Sequence, residues 1–190
     1  MINMPGPNSA DSISEDKLGS GAFGELILQI SSISADNEVL PLVADHLRAA
    51  THAIFVAAFS YDEESAELNP VYVSSELTAK VTEDVMAVRA QLTEDDRKRM
   101  RESIVLTTGT FSEATFDTVP SDISESIQAL SGARAYQMMV LIAENTILGS
   151  LLVAFSDRTQ ILNTDAAEAI ARVSGLVVQG RRAQREKLRL

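Results

Sequence analysis

Three glycines open the question of chemistry. Gly19, Gly21 and Gly24, in "LGSGAFGEL", have the G-x-G-x-x-G spacing of a loop that covers ATP phosphates. Such a loop needs flanking strands and a lysine on the following strand. Here the next lysine after the loop is Lys80, no H-R-D or D-F-G stretch exists, and an apolar run, "ELILQISSIS", follows Gly24. The glycines therefore read as a flexible lead-in to a first helix. The two histidines, His46 and His52, sit in "DHLRAATHA", on a helix and at its join to a strand, where packing or surface roles are the rule and haem ligation is disfavoured. The acidic runs "DEE" at 62–64 and "EDD" at 94–96 could hold a divalent cation weakly through oxygen. Both fall at a turn or helix start, where acids need no further purpose, so no metal site is assigned. There is no cysteine, which removes disulfides, thiol nucleophiles, thiolate metal sites and thioether-linked cofactors together. No nucleophile–base pair or metal cluster supports a freestanding enzyme.

The elements that position these residues belong to one domain. The chain's 190 residues are 45% hydrophobic and 23% charged, with a net charge of −11. That charge argues against a nucleic-acid surface. The last ten residues, "RRAQREKLRL", carry +4, which leaves −15 on the preceding 180. No apolar run reaches the length of a membrane span. The absence of cysteine fits a cytoplasmic location. Residues 1–20 read as a disordered polar leader, 21–180 as the domain, and 181–190 as the basic end of a linker helix.

Periodicity predicts helices over 22–34 and 37–51, the second capped by Asp36. A strand over 53–61 and another over 68–75 form a hairpin around an acidic turn, the second near an edge because of Pro70. Two helices are expected between 78 and 101, with Val81, Val85, Val88 and Leu92 on one side of the first and Thr93 capping the second. A strand follows to Gly109, then an irregular connection. The next helix is expected to be capped by Ser121 or Asp122, to face Ile123, Ile127 and Leu130 inward, and to end at Gly132. "ARAYQMMVLIAENTILGSLLVAFSD" reads as two strands joined at "ENT", apolar on both faces and so covered on both. Asp165 and Glu168 have capping spacing for a long closing helix. The reading is α+β: a central antiparallel sheet with the first, second and last helices on one face and the middle ones on the other.

That order, with the "Ile147-Leu148-Gly149-Ser150-Leu151-Leu152" strand and the alanine-rich closing helix, resembles a GAF domain over roughly residues 25–185. PAS domains share the sheet-with-helices plan, but the two-helix lead-in and the long closing helix favour GAF. The resemblance implies a sensory or regulatory module of a signalling protein. A small molecule would sit between sheet and middle helices, lined by Phe55, Phe59, Phe111, Ile123, Ile127, Tyr136 and Met138. The same residues also read as a closed core. It further implies homodimers that pass a signal through the closing helix to an output domain such as a histidine kinase. Ile170, Val173 and Val177 have a-d-a spacing, and Leu176 repeats with Ala183 and Leu190; Ile170, Val173, Leu176 and Val177 are the candidate interface. Gly175 and Gly180 weaken that helix. Covalent bilin attachment and free-methionine-sulfoxide reduction both need a cysteine and are excluded. The N-K-x-F-D-E signature of cyclic-nucleotide binders is absent; "SYDEE" matches it only in its acids. A ligand sensor, a ligand-free dimerisation module and an unrecognised enzyme remain as three classes.

Overall fold

The computed structural model describes residues 20–33 and 39–189. Gly19, Asp36 as a cap, and nearly all of the expected leader lie outside these residues. Helix α1 spans Ser20–Ser31 and α2 Val39–Thr51. Strands β1 (Phe55–Asp62) and β2 (Glu67–Ser75) form the first hairpin. Then come α3 (Ala79–Met86), β3 (Ala90–Gln91), α4 (Glu94–Glu102), β4 (Val105–Thr108), α5 (Phe111–Ala114) and α6 (Ser121–Ser131). Strands β5 (Ala135–Ala143) and β6 (Thr146–Phe155), a 3₁₀ turn at Arg158–Gln160, and α7 (Thr164–Arg189) complete the chain. The six strands pair antiparallel throughout, in the order β3-β2-β1-β6-β5-β4.

The β5–β6 hairpin is the centre of the fold. Its two turn residues, Glu144 (φ 49°) and Asn145 (φ 66°), take the left-handed conformation that a two-residue hairpin needs. Successive β5 side chains alternate between two cores. Ala135, Met139 and Leu141 face Leu26 and Ile30 of α1, Val43 and Leu47 of α2, and Ile170 of α7. Tyr136, Met138 and Val140 face the opposite core, with Val81 and Val85 of α3, Met100 of α4 and Ile127 of α6. Each fully buried aliphatic chain contributes about 1.5–3 kcal/mol, so the sheet is held from both sides.

Several local expectations differ from the structure. Gly21 lies inside α1 rather than in a lead-in before it, while Gly24 falls within the helix expected over 22–34. Helix α3 stops at Met86; Val88 and Leu92 are buried but non-helical, because Leu68 and Glu67 of β2 pair with Ala90 and Gln91 and the Leu92 amide donates to the Ala66 carbonyl (2.8 Å). Met100 is buried in the otherwise polar α4. A short helix, α5, occupies part of the expected irregular stretch, capped by Thr110. Pro120, not Ser121 or Asp122, caps α6: its carbonyl accepts from the Ser124 amide (3.0 Å), which starts the helix one residue earlier. Asn163, not the Asp165–Glu168 pair, caps α7, its Oδ1 accepting from the Ala166 amide (2.8 Å); Glu168 instead pairs with Arg172 (3.6 Å). Gly175 is a packing residue, since a Cβ there would lie 2.8 Å from the Ile142 carbonyl oxygen.

Other features match. Thr93 caps α4 through a reciprocal capping box with Asp96. Gly132 ends α6 with φ 72°. Pro70 lies beyond the two β2 residues that β3 pairs, where that side of β2 has no strand neighbour, and beside a bulge in register with Phe59.

Candidate functional site

Six of the seven candidate pocket residues meet on the α6 side of the sheet. Phe55, Phe59, Phe111, Ile127, Tyr136 and Met138 are all buried in one cluster. Phe55 and Phe59 alternate inward along β1, Tyr136 and Met138 along β5, and Phe111 enters from the first turn of α5. The Tyr136 ring meets Phe111 edge-on at 5.8 Å and Phe55 at 6.5 Å. Ile123 does not join them; it is 37% exposed, and Leu130 is 55% exposed. Helix α6 instead buries Ser124, Ile127 and Ser131. The three cluster within one stripe because positions i, i+3 and i+7 share a helix face.

This leaves polar atoms under α6. Among the described residues, the Tyr136 hydroxyl and Ser124 Oγ are buried without a hydrogen-bond partner. Burial pushes the Tyr136 phenol up to about 12, with a smaller opposing effect from the Ser131 hydroxyl beside it. Ser131 Oγ donates to the Gln128 carbonyl (3.3 Å) and accepts from the Ala133 amide (3.2 Å), which leaves one of its two lone pairs for the Tyr136 side. Gln128 Oε1 accepts from the Phe111 amide (3.2 Å), so α5 and α6 are fastened together above the aromatic rings. A buried, unpaired hydroxyl costs about 1–3 kcal/mol, and a ligand's acceptor or donor would recover that cost.

An opening that sequence reasoning missed lies at the corner of α4, β4 and α5. It holds about 380 Å³ and is lined by Asp96 and Arg99, by Thr107 and Thr108, and by Glu113, Phe116 and Asp117. A smaller cavity of about 10 Å³ adjoins it, sharing Arg99, Thr108, Glu113 and Phe116 and adding Leu106, Ala114 and Met138. Phe116 (φ 57°) and Asp117 (φ 54°) are consecutive left-handed residues, a conformation that costs about 1–2 kcal/mol at each non-glycine position. The only sequence signal was the acid count of "EATFDT", which carries no periodicity.

The acidic runs have structural tasks. Asp62 Oδ1 accepts from the Glu64 amide (2.9 Å) in the β1–β2 turn, and Asp96 closes the α4 capping box. Among the described residues no three of His, Asp and Glu converge as metal ligands. His46 is half-buried on α2 and His52 exposed after it, and α2 packs on the sheet face opposite the aromatic cluster. Of the four candidate interface residues, Ile170 is buried in the chain's own core, and Val173 and Val177 pack half-buried against it. Leu176 points outward, 62% exposed. Arg181 Nη2 donates to the Ile33 carbonyl (3.0 Å) and Arg182 Nη2 to the Leu148 carbonyl (2.9 Å), which fix α7 near the point where it becomes solvent-exposed. Among the described residues no helix is long and apolar enough to cross a membrane.

No protein-family model and no curated protein matches the sequence. Solved structures do match. The chain is similar to the GAF domain of an Acinetobacter phosphoenolpyruvate-protein phosphotransferase, at 15% identity and a TM-score of 0.60, over 86% of this chain and 93% of that one. The fold is that of a GAF domain. The chain is also similar to a domain assigned to a two-component sensor histidine kinase protein from Sinorhizobium meliloti, at 17% identity and a TM-score of 0.57, over 83% of this chain and all of that one. A third likeness is to the chromophore-binding domain of a bacteriophytochrome from R. palustris, at 8% identity and a TM-score of 0.58, over 88% of this chain and 62% of that one. At these identities the likeness establishes the GAF fold: a six-stranded antiparallel sheet, helices α1, α2 and α7 on one face and α3 to α6 on the other.

Proposed function

We propose that this GAF-like chain is a sensory or regulatory domain of a cytoplasmic signal-transduction protein. A small molecule bound on the α6 side of the sheet alters the packing of α7, and α7, as part of a homodimer, passes that change to an output domain such as a histidine kinase. The observation that carries the reading is the Tyr136 hydroxyl, buried beside the Ser131 hydroxyl without a well-formed hydrogen bond, beneath a helix that turns two serines inward and leaves Ile123 and Leu130 outside. Such an arrangement suits a helix that shifts when its polar face gains a partner. The geometry of α7 supports the output half: its 26 residues extend about 39 Å, while residues 182–189 are exposed. Catalysis is assigned to the output domain and not to this chain. Neither nucleic acid nor a membrane is a partner in this reading, given the acidic domain surface. A ligand-free dimerisation module is the second reading; the mutual contact of Phe111, Tyr136 and Phe55 favours it.

Thermal melting separates the two. The chain is unfolded in guanidinium, refolded free of small molecules, and melted with and without a deproteinised extract of the cells that produced it. The sensory reading predicts a rise in Tm for the wild type that is reduced in Tyr136→Phe. Equal melting with and without extract supports the ligand-free dimerisation module.

A further inference from the structure

The opening between α4, β4 and α5 brings opposite charges together without letting them pair. Arg99 lines it, and among the described residues its guanidinium makes neither a hydrogen bond nor an ion pair. Three carboxylates line the same opening, each oriented by one oxygen. Asp96 Oδ2 accepts from the Thr93 amide (2.9 Å) and hydroxyl (2.7 Å). Glu113 Oε2 accepts from the Gly109 amide (3.2 Å), and Asp117 Oδ1 from the Ser112 hydroxyl (2.8 Å). These bonds fix where the carboxylates stand and leave the second oxygen of each for another donor.

The charge pattern selects among ligands. A simple anion that reached Arg99 would be repelled by three carboxylates. A simple cation would be drawn to the carboxylates and leave Arg99 without a counter-charge. A metal ion lacks a converging ligand set among the described residues. A molecule that carries both charges a short distance apart satisfies both sides at once. The volume of about 380 Å³ lies in the range of small-ligand sites. Behind the charged rim, the small cavity is walled by Leu106, Ala114 and Met138. Its 10 Å³ suits the end of a short aliphatic group and nothing larger without repacking.

We propose that this opening binds a free α-amino acid with a short aliphatic side chain. Its carboxylate pairs with Arg99, its ammonium with Glu113 and Asp117, and its side chain enters toward Leu106 and Met138. The proposal rests on the sensory reading, in which this domain takes a small molecule, but places that molecule in an opening whose lining does not include Tyr136. Met138 belongs both to this wall and to the buried aromatic cluster, so occupancy here reaches the core that α6 covers.

The test is calorimetric titration of the full chain with L-alanine, L-valine, L-leucine and L-isoleucine, at concentrations on the order of 10 mM. At least one should give saturable heat. Its N-acetyl derivative and its amide, which each lack one charge, should bind at least about tenfold more weakly. Arg99→Gln, an exposed substitution that leaves the α4 cap untouched, should weaken binding by a similar factor. Absence of heat from all four would overturn the proposal, as would equal binding of the N-acetyl derivative or unchanged affinity in Arg99→Gln. A cell extract that raises Tm while none of the four binds would overturn this ligand class and leave the sensory reading standing.

Discussion

A side chain on Gly149 would collide with the backbone of Phe59: an added Cβ would lie 2.1 Å from the Phe59 carbonyl oxygen. Strand β6 can therefore pair with β1 at this point only through glycine, and the pairing places Phe59 in the aromatic cluster. Gly149→Ala should destabilise the chain by about 3 kcal/mol or more, because the obstacle is backbone and cannot rotate away. Gly24→Ala is the control; that glycine is helical with open space around it, and alanine there should add about 0.5–1 kcal/mol. Urea unfolding of both variants checks the pair. Equal midpoints would refute the close approach.

Tyr136 links stability to alkaline pH. Its folded value of about 12 exceeds the unfolded value of 10, so the unfolded chain loses that proton first. Stability is intact below pH 10 and falls as pH rises toward 12, by about 2–3 kcal/mol in total. Tyr136→Phe should flatten that fall. Tyr72, also raised, chiefly by burial and then by its bond to Asp45, should keep part of it. At neutral pH the phenylalanine variant should be as stable as the wild type or about 1 kcal/mol more so, since the hydroxyl is buried with no well-formed hydrogen bond, only its contact with Ser131. A loss above that size would mean the hydroxyl has a structural partner. Denaturant midpoints across the pH range measure both effects.

The cap on α4 should behave as a separable module. Thr93 and Asp96 bond reciprocally at its start. Thr93→Ala should cost about 1 kcal/mol and Thr93→Ser little. If alanine and serine had the same melting temperature, the box would contribute nothing.

The two-sided β5–β6 hairpin was legible because its apolar run is continuous and Asn145 tolerates positive φ. Thr93 and Gly132 were legible because caps are local chemistry. Val88 and Leu92 were misread as helical because their spacing fits a helix, and only the β2 pairing, remote in sequence, claims those backbone groups. Ile123 and Leu130 were misread for a related reason. The stripe Ile123-Ile127-Leu130 is more apolar than Ser124-Ile127-Ser131, yet tertiary packing buries the second. The opening at Arg99 left no trace because it is assembled from three segments with unrelated patterns. The aromatic alternation on β1 and β5 showed which of the candidate residues share a face, while the closure of those rings on one another could not be read from spacing.

The outward position of Leu176 centres the proposed dimer on that residue. Leu176→Glu should shift the wild type from dimer toward monomer in sedimentation equilibrium at tens of micromolar, without lowering Tm, since the side chain is 62% exposed. A fully dimeric variant would move the interface to another face, with exposed Leu28 on α1 the next residue to substitute.

The central claim is that this domain holds a small molecule and transmits its presence as a dimer. Native mass spectrometry of the chain as purified tests both halves in one spectrum. The account predicts a dimer mass, with an added mass that disappears after unfolding and refolding and is reduced in Tyr136→Phe. A bare monomer, unchanged when the deproteinised extract is added back, would contradict it.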